Sequence, residues 1–229
     1  MKITWSNIHY IVFTVIILNF IMVYYLKERD DDSSPLDTAT LKNEPIIVLQ
    51  ENSTNETNID ITLFQGLPKA DKMEYIIQKN VELGVKHIVP VDMERSIVKL
   101  DEKTMIKKIE RWQKISEVAA KQSGRDIIPK IENIINVKKI CELIKNYDIV
   151  LIAYENENQI TLKDKLRKIK NFDNLKIAVI IGPEGGIDKK ELEELIKAGA
   201  KTITLGKRIL RTETASIVVV SNLIYEAEM

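Results

Sequence analysis

The stretch of sequence that decides the fold is Ile177-Ala178-Val179-Ile180-Ile181-Gly182-Pro183-Glu184-Gly185-Gly186. Its apolar first half is typical of a strand that is buried on both faces of a parallel sheet. The glycines that follow permit positive φ angles and let a ligand approach the backbone, although a tight turn alone would also explain them. Asp188 is a suitable N-cap for a helix that begins near Lys189, and Glu191 is placed to complete a capping box.

A second stretch repeats this arrangement closer to the C-terminus. The strand-like run 202–205 leads into Gly206-Lys207-Arg208-Ile209-Leu210-Arg211-Thr212-Glu213-Thr214-Ala215. Thr212 is a natural N-cap for the last helix, and Glu213 complements the helix dipole. Arg211 is a cation at the positive end of that helix, which indicates an external anionic or carbonyl partner. Two strand ends thus predict a ligand site at one edge of an open α/β sheet.

Strands and helices alternate along the chain from Ile59 onwards. Strands are predicted at 61–64, 87–91, 126–129, 148–153, 177–181 and 202–205. Helices are predicted at 72–83, 102–122, 137–145, 161–170, 189–198 and 213–228. This alternation predicts an α/β domain with a mainly parallel sheet.

The N-terminal part of the chain has a different pattern. Residues 10–26 form a nearly continuous apolar run, which at 17 residues is at the lower limit for a transmembrane helix. The run is also rich in β-formers, so buried strands compete with a membrane anchor. A polar, turn-rich segment follows at 30–58, and the first glycine is Gly66. We therefore divide the chain into an N-terminal segment, 1–58, and an α/β domain, 59–229.

Composition and charge exclude some classes of site. Of the 229 residues, 34 are Lys or Arg and 34 are Asp or Glu, so the formal net charge is zero. The overall charge therefore does not indicate a protein that binds nucleic acid. The single cysteine, Cys141, excludes an intramolecular disulfide. The two histidines, His9 and His87, are far apart and have no cysteine nearby, so we predict no metal site.

Basic residues at the ends of predicted elements offer a second kind of site. Lys69, Arg95 and Arg125 each follow an element and lie in predicted loops. Each alone is typical of a solvated surface residue. Together they could form a basic patch that binds the phosphates of RNA.

These motifs, taken in order, resemble the RsmE family of 16S ribosomal RNA uridine N3-methyltransferases within the SPOUT superfamily. The resemblance covers about residues 59–229. The matching residues are Leu67-Pro68-Lys69, Lys79, Glu82-Leu83-Gly84, Pro90, Glu94-Arg95-Ser96, Arg111-Trp112, Ala119-Ala120, Gln122-Ser123-Gly124-Arg125, Gly182-Pro183-Glu184-Gly185-Gly186 and Leu205 to Ala215.

The resemblance implies a SPOUT fold with a C-terminal trefoil knot, a homodimer, and S-adenosylmethionine bound in the knot. It assigns Arg211 and Glu213 as catalytic residues, and Lys69, Arg95 and Arg125 as RNA contacts, the two arginines alternatively at the dimer site. The implied cofactor-binding residues are Ile181, Gly182, Pro183, Glu184, Gly185, Gly186, Leu205, Gly206, Ile209, Leu210 and Thr214.

The implied reaction is methyl transfer to N3 of a uridine in 16S rRNA, on the small ribosomal subunit in the cytoplasm, without a metal. The N3 proton must leave because a neutral imide nitrogen is a poor nucleophile. Glu213 or a water is the expected base, and Arg211 is expected to stabilise charge on the uracil oxygens. The target base must be unstacked.

The N-terminal segment departs from the resemblance. Relatives carry a PUA-like β-barrel there, whereas residues 1–58 are a degenerate barrel, a hydrophobic anchor or a shifted reading frame. Three rivals for the function stay open: a sister SPOUT enzyme acting on another RNA uridine, a non-catalytic RNA-binding or assembly factor, and a protein tethered to membranes through residues 10–26.

Overall fold

A computed structural model describes residues 55–228 of the chain. In this part seven strands form one sheet in the order β3-β2-β1-β6-β5-β7, with β4 also paired to β2. All of the strand pairs are parallel. The strands are β1 Asp60–Gly66, β2 His87–Asp92, β3 Lys130–Ile131, β4 Ile135–Asn136, β5 Ile149–Ala153, β6 Lys176–Ile181 and β7 Lys201–Ile203.

The described residues form six α-helices, of which five connect strands and the sixth follows the last strand. They are α1 Lys72–Glu82, α2 Glu102–Gln122, α3 Val137–Leu143, α4 Leu162–Leu166, α5 Lys189–Ala198 and α6 Thr212–Glu228, with a 3-10 turn at Ile144–Asn146. The predicted α/β class with a mainly parallel sheet is confirmed. The knot and the 1–58 and 59–229 division stay predictions, and the apolar run 10–26 lies outside the described residues.

The sheet is buried on both faces because side chains alternate along each strand. In β6, Ile177 and Val179 face one hydrophobic core, which includes Val219 of α6 and Ile76 of α1. Ala178 and Ile180, on the other face, belong to a second core, to which α3 and α5 contribute. The uninterrupted apolar run at 177–181 is therefore explained by two cores rather than one.

Two predicted elements differ from the structure. The strand predicted at 126–129 is wrong, since the pairing residues are Lys130 and Ile131, which lie beside His87 and Ile88 of β2. The helix predicted at 161–170 is much shorter, Leu162–Leu166. Beyond it the chain must turn back into β6, and Phe172 packs against the core from this connection. The spacing of its apolar residues suggested a continued helix.

Residues just before the predicted domain boundary are attached to this domain. The Glu56 carboxylate pairs with Arg125 at 2.6 Å and accepts backbone N–H groups of Asp126 and Ile127. Arg125 also donates to the carbonyls of Val81 and Val85. Only 3% of the Arg125 side chain is exposed. This ion pair therefore fastens the chain before β1 to the end of α2.

No helix among residues 55–228 is both long and apolar enough to cross a membrane. The long helix α2 carries a charged outer face, and α6 is apolar but packs against the sheet.

The Glu56–Arg125 pair provides a stability test. We expect Arg125→Gln to lower the free energy of unfolding by about 3–5 kcal/mol, because it leaves a largely buried carboxylate without its partner. The matched control is Arg111→Gln, which removes an arginine that pairs with Glu74 while 65% exposed. We expect that control to cost less than about 1 kcal/mol. Urea denaturation measures both, and equal losses would contradict the assignment.

The same pair has a defined pH dependence. Burial alone would raise the pKa of Glu56, but the hydrogen bonds from Arg125 and from backbone N–H groups hold that pKa below its ordinary value. A carboxyl group whose pKa is lower in the folded state stabilises the protein at pH values above its unfolded-state pKa, which is about 4.3 for Glu. That stabilisation is lost as the pH falls through the folded-state pKa. The difference in the free energy of unfolding between Arg125→Gln and the wild type should therefore shrink in acid.

Candidate functional site

The carboxyl ends of the parallel strands meet at one edge of the sheet, where the loops after β5, β6 and β7 enclose a cavity of about 550 Å³. This volume is in the range of small-molecule sites. Ten of the eleven predicted cofactor residues line it: Ile181, Gly182, Pro183, Glu184, Gly185, Gly186, Leu205, Gly206, Ile209 and Leu210. Thr214 does not, because it is exposed on the outer side of α6.

The loop after β6 turns sharply. The Gly186 N–H donates to the Pro183 carbonyl at 2.9 Å, and Gly186 adopts a φ of 71°, where glycine is favoured. Gly66 lies at the end of the neighbouring strand β1. A Cβ on Gly66 would be 2.6 Å from the ring nitrogen of Pro183. The two loops therefore touch backbone to backbone, which only glycine at position 66 permits.

Glu184 is bound by groups of the loop after β1 and of the start of α1. Its carboxylate accepts hydrogen bonds from the Lys72 ammonium at 2.8 Å and from the Lys69 backbone N–H at 3.2 Å. Burial alone would raise the pKa of Glu184, but these hydrogen bonds keep that pKa below its ordinary value. The same contact raises the pKa of Lys72, so the lysine stays protonated at neutral pH. Lys72 lines the cavity as a fixed cation.

Thr212 has a role other than the predicted N-cap. It is the first residue of α6, and its hydroxyl donates to the Gly182 carbonyl at 2.7 Å. The same oxygen accepts the Gln65 side-chain amide at 2.9 Å. The Arg211 carbonyl accepts the first helical hydrogen bond, from the Ala215 N–H at 2.8 Å. The cap prediction for Thr212 is wrong because its side chain bonds to the β6 loop instead.

The two predicted catalytic residues lie on either side of Thr212. Arg211 lines the cavity and is exposed, and within residues 55–228 its guanidinium has no hydrogen-bond or ion-pair partner. Glu213 does not line the cavity. Its side chain is 16% exposed, and Oε2 lies 3.6 Å from the Lys72 ammonium, with no hydrogen bond within the described residues. Lys72 therefore links Glu213 to Glu184.

The loop after β7 supplies the opposite wall. Gly206 has a φ of 117°, and its N–H donates to the Thr204 hydroxyl at 3.3 Å. Leu205 and Leu210 pack against the core, whereas Ile209 is 85% exposed while lining the cavity. The loop thus offers backbone groups and apolar side chains, together with the cations Lys207 and Arg208.

The three predicted RNA-contact residues do not form one patch. Lys69 is exposed but uses its backbone N–H on Glu184. Arg95 donates to the Gly185 carbonyl at 3.1 Å and lies 3.6 Å from Asp188. Arg125 is buried in its pair with Glu56. We therefore correct the Arg125 prediction: its guanidinium stabilises the fold and faces no open surface.

Several lining residues were missed by sequence reasoning. They follow β5 or begin α1 and are Ala153, Tyr154, Glu155, Asn158 and Lys72. The signal was present, because β5 is parallel to β6 and must deliver its following residues to the same edge. Tyr154-Glu155 carries no glycine, however, so it did not resemble a ligand loop.

Comparison with known proteins agrees with this geometry. A family profile described as RNA methyltransferase domain matches residues 55–224. The chain is 35% identical to ribosomal RNA small subunit methyltransferase E of Bacillus subtilis, over 80% of this chain and 73% of that protein. It is 39% identical to the Mesomycoplasma hyopneumoniae protein of the same name, over 76% and 74% of the two chains.

A solved structure gives the same result. The crystal structure of ribosomal RNA small subunit methyltransferase E from Neisseria gonorrhoeae bound to S-adenosyl methionine is 33% identical, with a TM-score of 0.67. The similarity covers 77% of this chain and 70% of that one. The profile match, the identities and the shared fold together mean that this chain belongs to the ribosomal RNA small subunit methyltransferase E family.

Proposed function

We propose that this chain transfers the methyl group of S-adenosylmethionine to N3 of a uridine in 16S ribosomal RNA, within the small ribosomal subunit. The observation that carries the proposal is the cavity of about 550 Å³ between two glycine-containing loops, with Arg211 on its wall. A ribosomal substrate places the reaction in the cytoplasm. The shared name of the relatives supports the rRNA substrate, and the choice of N3 is the finer part of the proposal.

The residues present fit S-adenosylmethionine. The cavity is of the right size class and combines apolar walls with exposed backbone groups of loops 182–186 and 205–206. When bound, the sulfonium supplies an already activated methyl group. The chain has only to hold that group in line with the nucleophile and to exclude water.

Arg211 is assigned the role of hydrogen-bond donor to the uracil oxygens. Arg211 immediately precedes α6, where the helix dipole adds to the positive potential rather than offsetting it. Removal of the N3 proton leaves negative charge shared with O2 and O4. The planar guanidinium, which has no partner among the described residues, is available to donate hydrogen bonds to those oxygens in the transition state.

Glu213 is assigned as the proton acceptor through a water, because its side chain does not line the cavity. Its Oε2 is buried and accepts no hydrogen bond within the described residues, which leaves it an open acceptor site. Lys72 lies between Glu213 and the cavity and stays protonated, so it orients the carboxylate and cannot itself be the base. The proton path therefore runs from N3 past Lys72 to Glu213.

A homodimer is also part of the proposal. Helix α6 buries Val219 and Leu223 against the sheet, yet its outer side carries half-buried Val218 one helical repeat before Tyr225, which is 59% exposed. Large apolar side chains exposed on the outer side of a packed helix indicate an interaction surface. A second copy of the chain is the partner we assign to this outer side.

Cofactor binding can be tested with two glycines of nearly equal backbone conformation. Gly206 lines the cavity at a φ of 117°, and Gly199 ends α5 outside it at a φ of 119°. Alanine at either position should cost about 1–2 kcal/mol of stability. Only Gly206→Ala should weaken S-adenosylmethionine binding, measured by calorimetry. Equal affinity in the two variants would remove the 205–211 loop from the cofactor site.

The reaction itself is tested by incubating the protein with radiolabelled S-adenosylmethionine and small ribosomal subunits from a strain that lacks this enzyme. We expect label in N3-methyluridine at one 16S rRNA position. Label at another atom or in another RNA would point to a sister enzyme. Cofactor binding without any label would favour a non-catalytic binding factor instead.

In the same assay, Arg211→Ala should lower kcat by about 10²- to 10³-fold, because one transition-state donor is lost. S-adenosylmethionine affinity should stay close to that of the wild type. Arg167→Ala removes an exposed arginine outside the cavity and serves as the control. Unchanged turnover in Arg211→Ala would exclude this arginine from the chemistry.

The dimer is tested by sedimentation equilibrium. Val218→Glu places a charge on the outer side of α6 and should shift the protein to monomers, with methylation lost in parallel. Val118→Glu makes the same change on α2, at a valine that is 69% exposed, and should leave the dimer intact. Dissociation by the α2 variant alone would place the interface on that helix.

A further inference from the structure

One acidic side chain of the cavity has no role in the mechanism above. Glu155 follows β5 directly after Tyr154 and lines the cavity. Within residues 55–228 neither of its carboxylate oxygens has a hydrogen-bond or ion-pair partner, and the side chain is exposed to the cavity. A polar group without a partner on the wall of a ligand site is placed to bind a polar group of the ligand.

Gly186 makes room for this carboxylate. A Cβ at that position would overlap Oε1 of Glu155 and would lie 3.2 Å from its Cδ. Gly186 also holds a φ of 71°, which disfavours other residues. The Glu155 carboxylate therefore lies directly against the β6 loop, on the wall that the predicted cofactor residues form.

The charges around the cavity single out Glu155. Among the described residues two acids line it, and the other, Glu184, already pairs with Lys72 at 2.8 Å. That pair leaves Lys207, Arg208 and Arg211 as the unpaired lining cations of residues 55–228. A ligand with a net positive charge would be repelled by these three cations unless a free carboxylate offset them.

S-adenosylmethionine presents donor groups that a carboxylate accepts, namely the ammonium of its amino acid part and the two hydroxyls of its ribose. We infer that Glu155 is a cofactor-binding residue that accepts hydrogen bonds from one of these donor groups. This inference rests on the proposed function, since it assigns a ligand partner within the same cavity. A side chain at position 186 would displace the carboxylate from its present position.

The test compares Glu155→Gln with the wild type by calorimetry, using two ligands. S-adenosylmethionine carries both donor groups, whereas 5′-methylthioadenosine keeps the ribose and adenine but lacks the amino acid. Loss of a charge-assisted hydrogen bond should weaken S-adenosylmethionine binding by about 10- to 100-fold. The control, Glu193→Gln, removes the same charge from an exposed position on α5 outside the cavity.

The outcomes separate the possibilities. Weaker binding of S-adenosylmethionine alone, repeated with S-adenosylhomocysteine, which keeps the ammonium but has no sulfonium charge, assigns Glu155 to the ammonium. Weaker binding of both ligands assigns it to the ribose, and each of these results supports the inference. A loss for S-adenosylmethionine that S-adenosylhomocysteine and 5′-methylthioadenosine do not share reflects the sulfonium charge and overturns it. Unchanged affinity for both ligands overturns it, as does an equal loss in Glu193→Gln. A wild-type protein that binds neither ligand would instead overturn the proposed function. Thermal melts confirm that both variants are folded.

Discussion

The hydroxyl of Thr212 is the point on which the site depends. It accepts a hydrogen bond from the side-chain amide of Gln65 on the central strand β1, and it donates one to the Gly182 carbonyl of the β6 loop. Gln65 is fully buried, and Thr212 is nearly so. Buried polar groups that lose a partner cost about 1–3 kcal/mol each, so these three groups are kept together. One side chain thus fixes the strand, the loop and the start of α6 relative to one another.

Hydrogen bonds from charged side chains also fix the β6 loop at the same edge of the sheet. Glu184 reaches from the β6 loop to the backbone of Lys69, and Arg95 reaches from the β2 loop to the Gly185 carbonyl. The β6 loop is therefore tied on both sides by its neighbours. Fixed donors and acceptors of this kind are what a methyl transfer needs, because the enzyme must hold two reactants in line rather than supply a strong reagent. Lys69 and Arg95, which resembled RNA contacts in the sequence, thus shape the cavity.

The sequence was sufficient wherever one local pattern decided the structure. The apolar run 177–181 and the helices at 102–122 and 189–198 were predicted within a residue, because periodicity and the cap at Asp188 act locally. The predictions failed where contacts between residues far apart in the sequence determine the position of a side chain. Arg125 is buried by Glu56, which lies 69 residues away, and Thr212 bonds to Gln65 across 147 residues. No spacing rule reports such pairs, and the short helix α4 likewise ends where the chain must return to the sheet.

The cavity also limits how RNA can meet this domain. Arg125 is buried and Arg95, although 43% exposed, is bonded to the β6 loop, so of the three predicted RNA contacts only the Lys69 ammonium has no partner among the described residues. The exposed cations next to the reacting groups are instead Lys207 and Arg208, on the β7 loop that lines the cavity. Phosphate contacts position a nucleic acid, whereas a base that enters the cavity carries the chemistry. Under the proposed function, the β7 loop therefore lines the cofactor site and also carries the exposed cations Lys207 and Arg208 beside it.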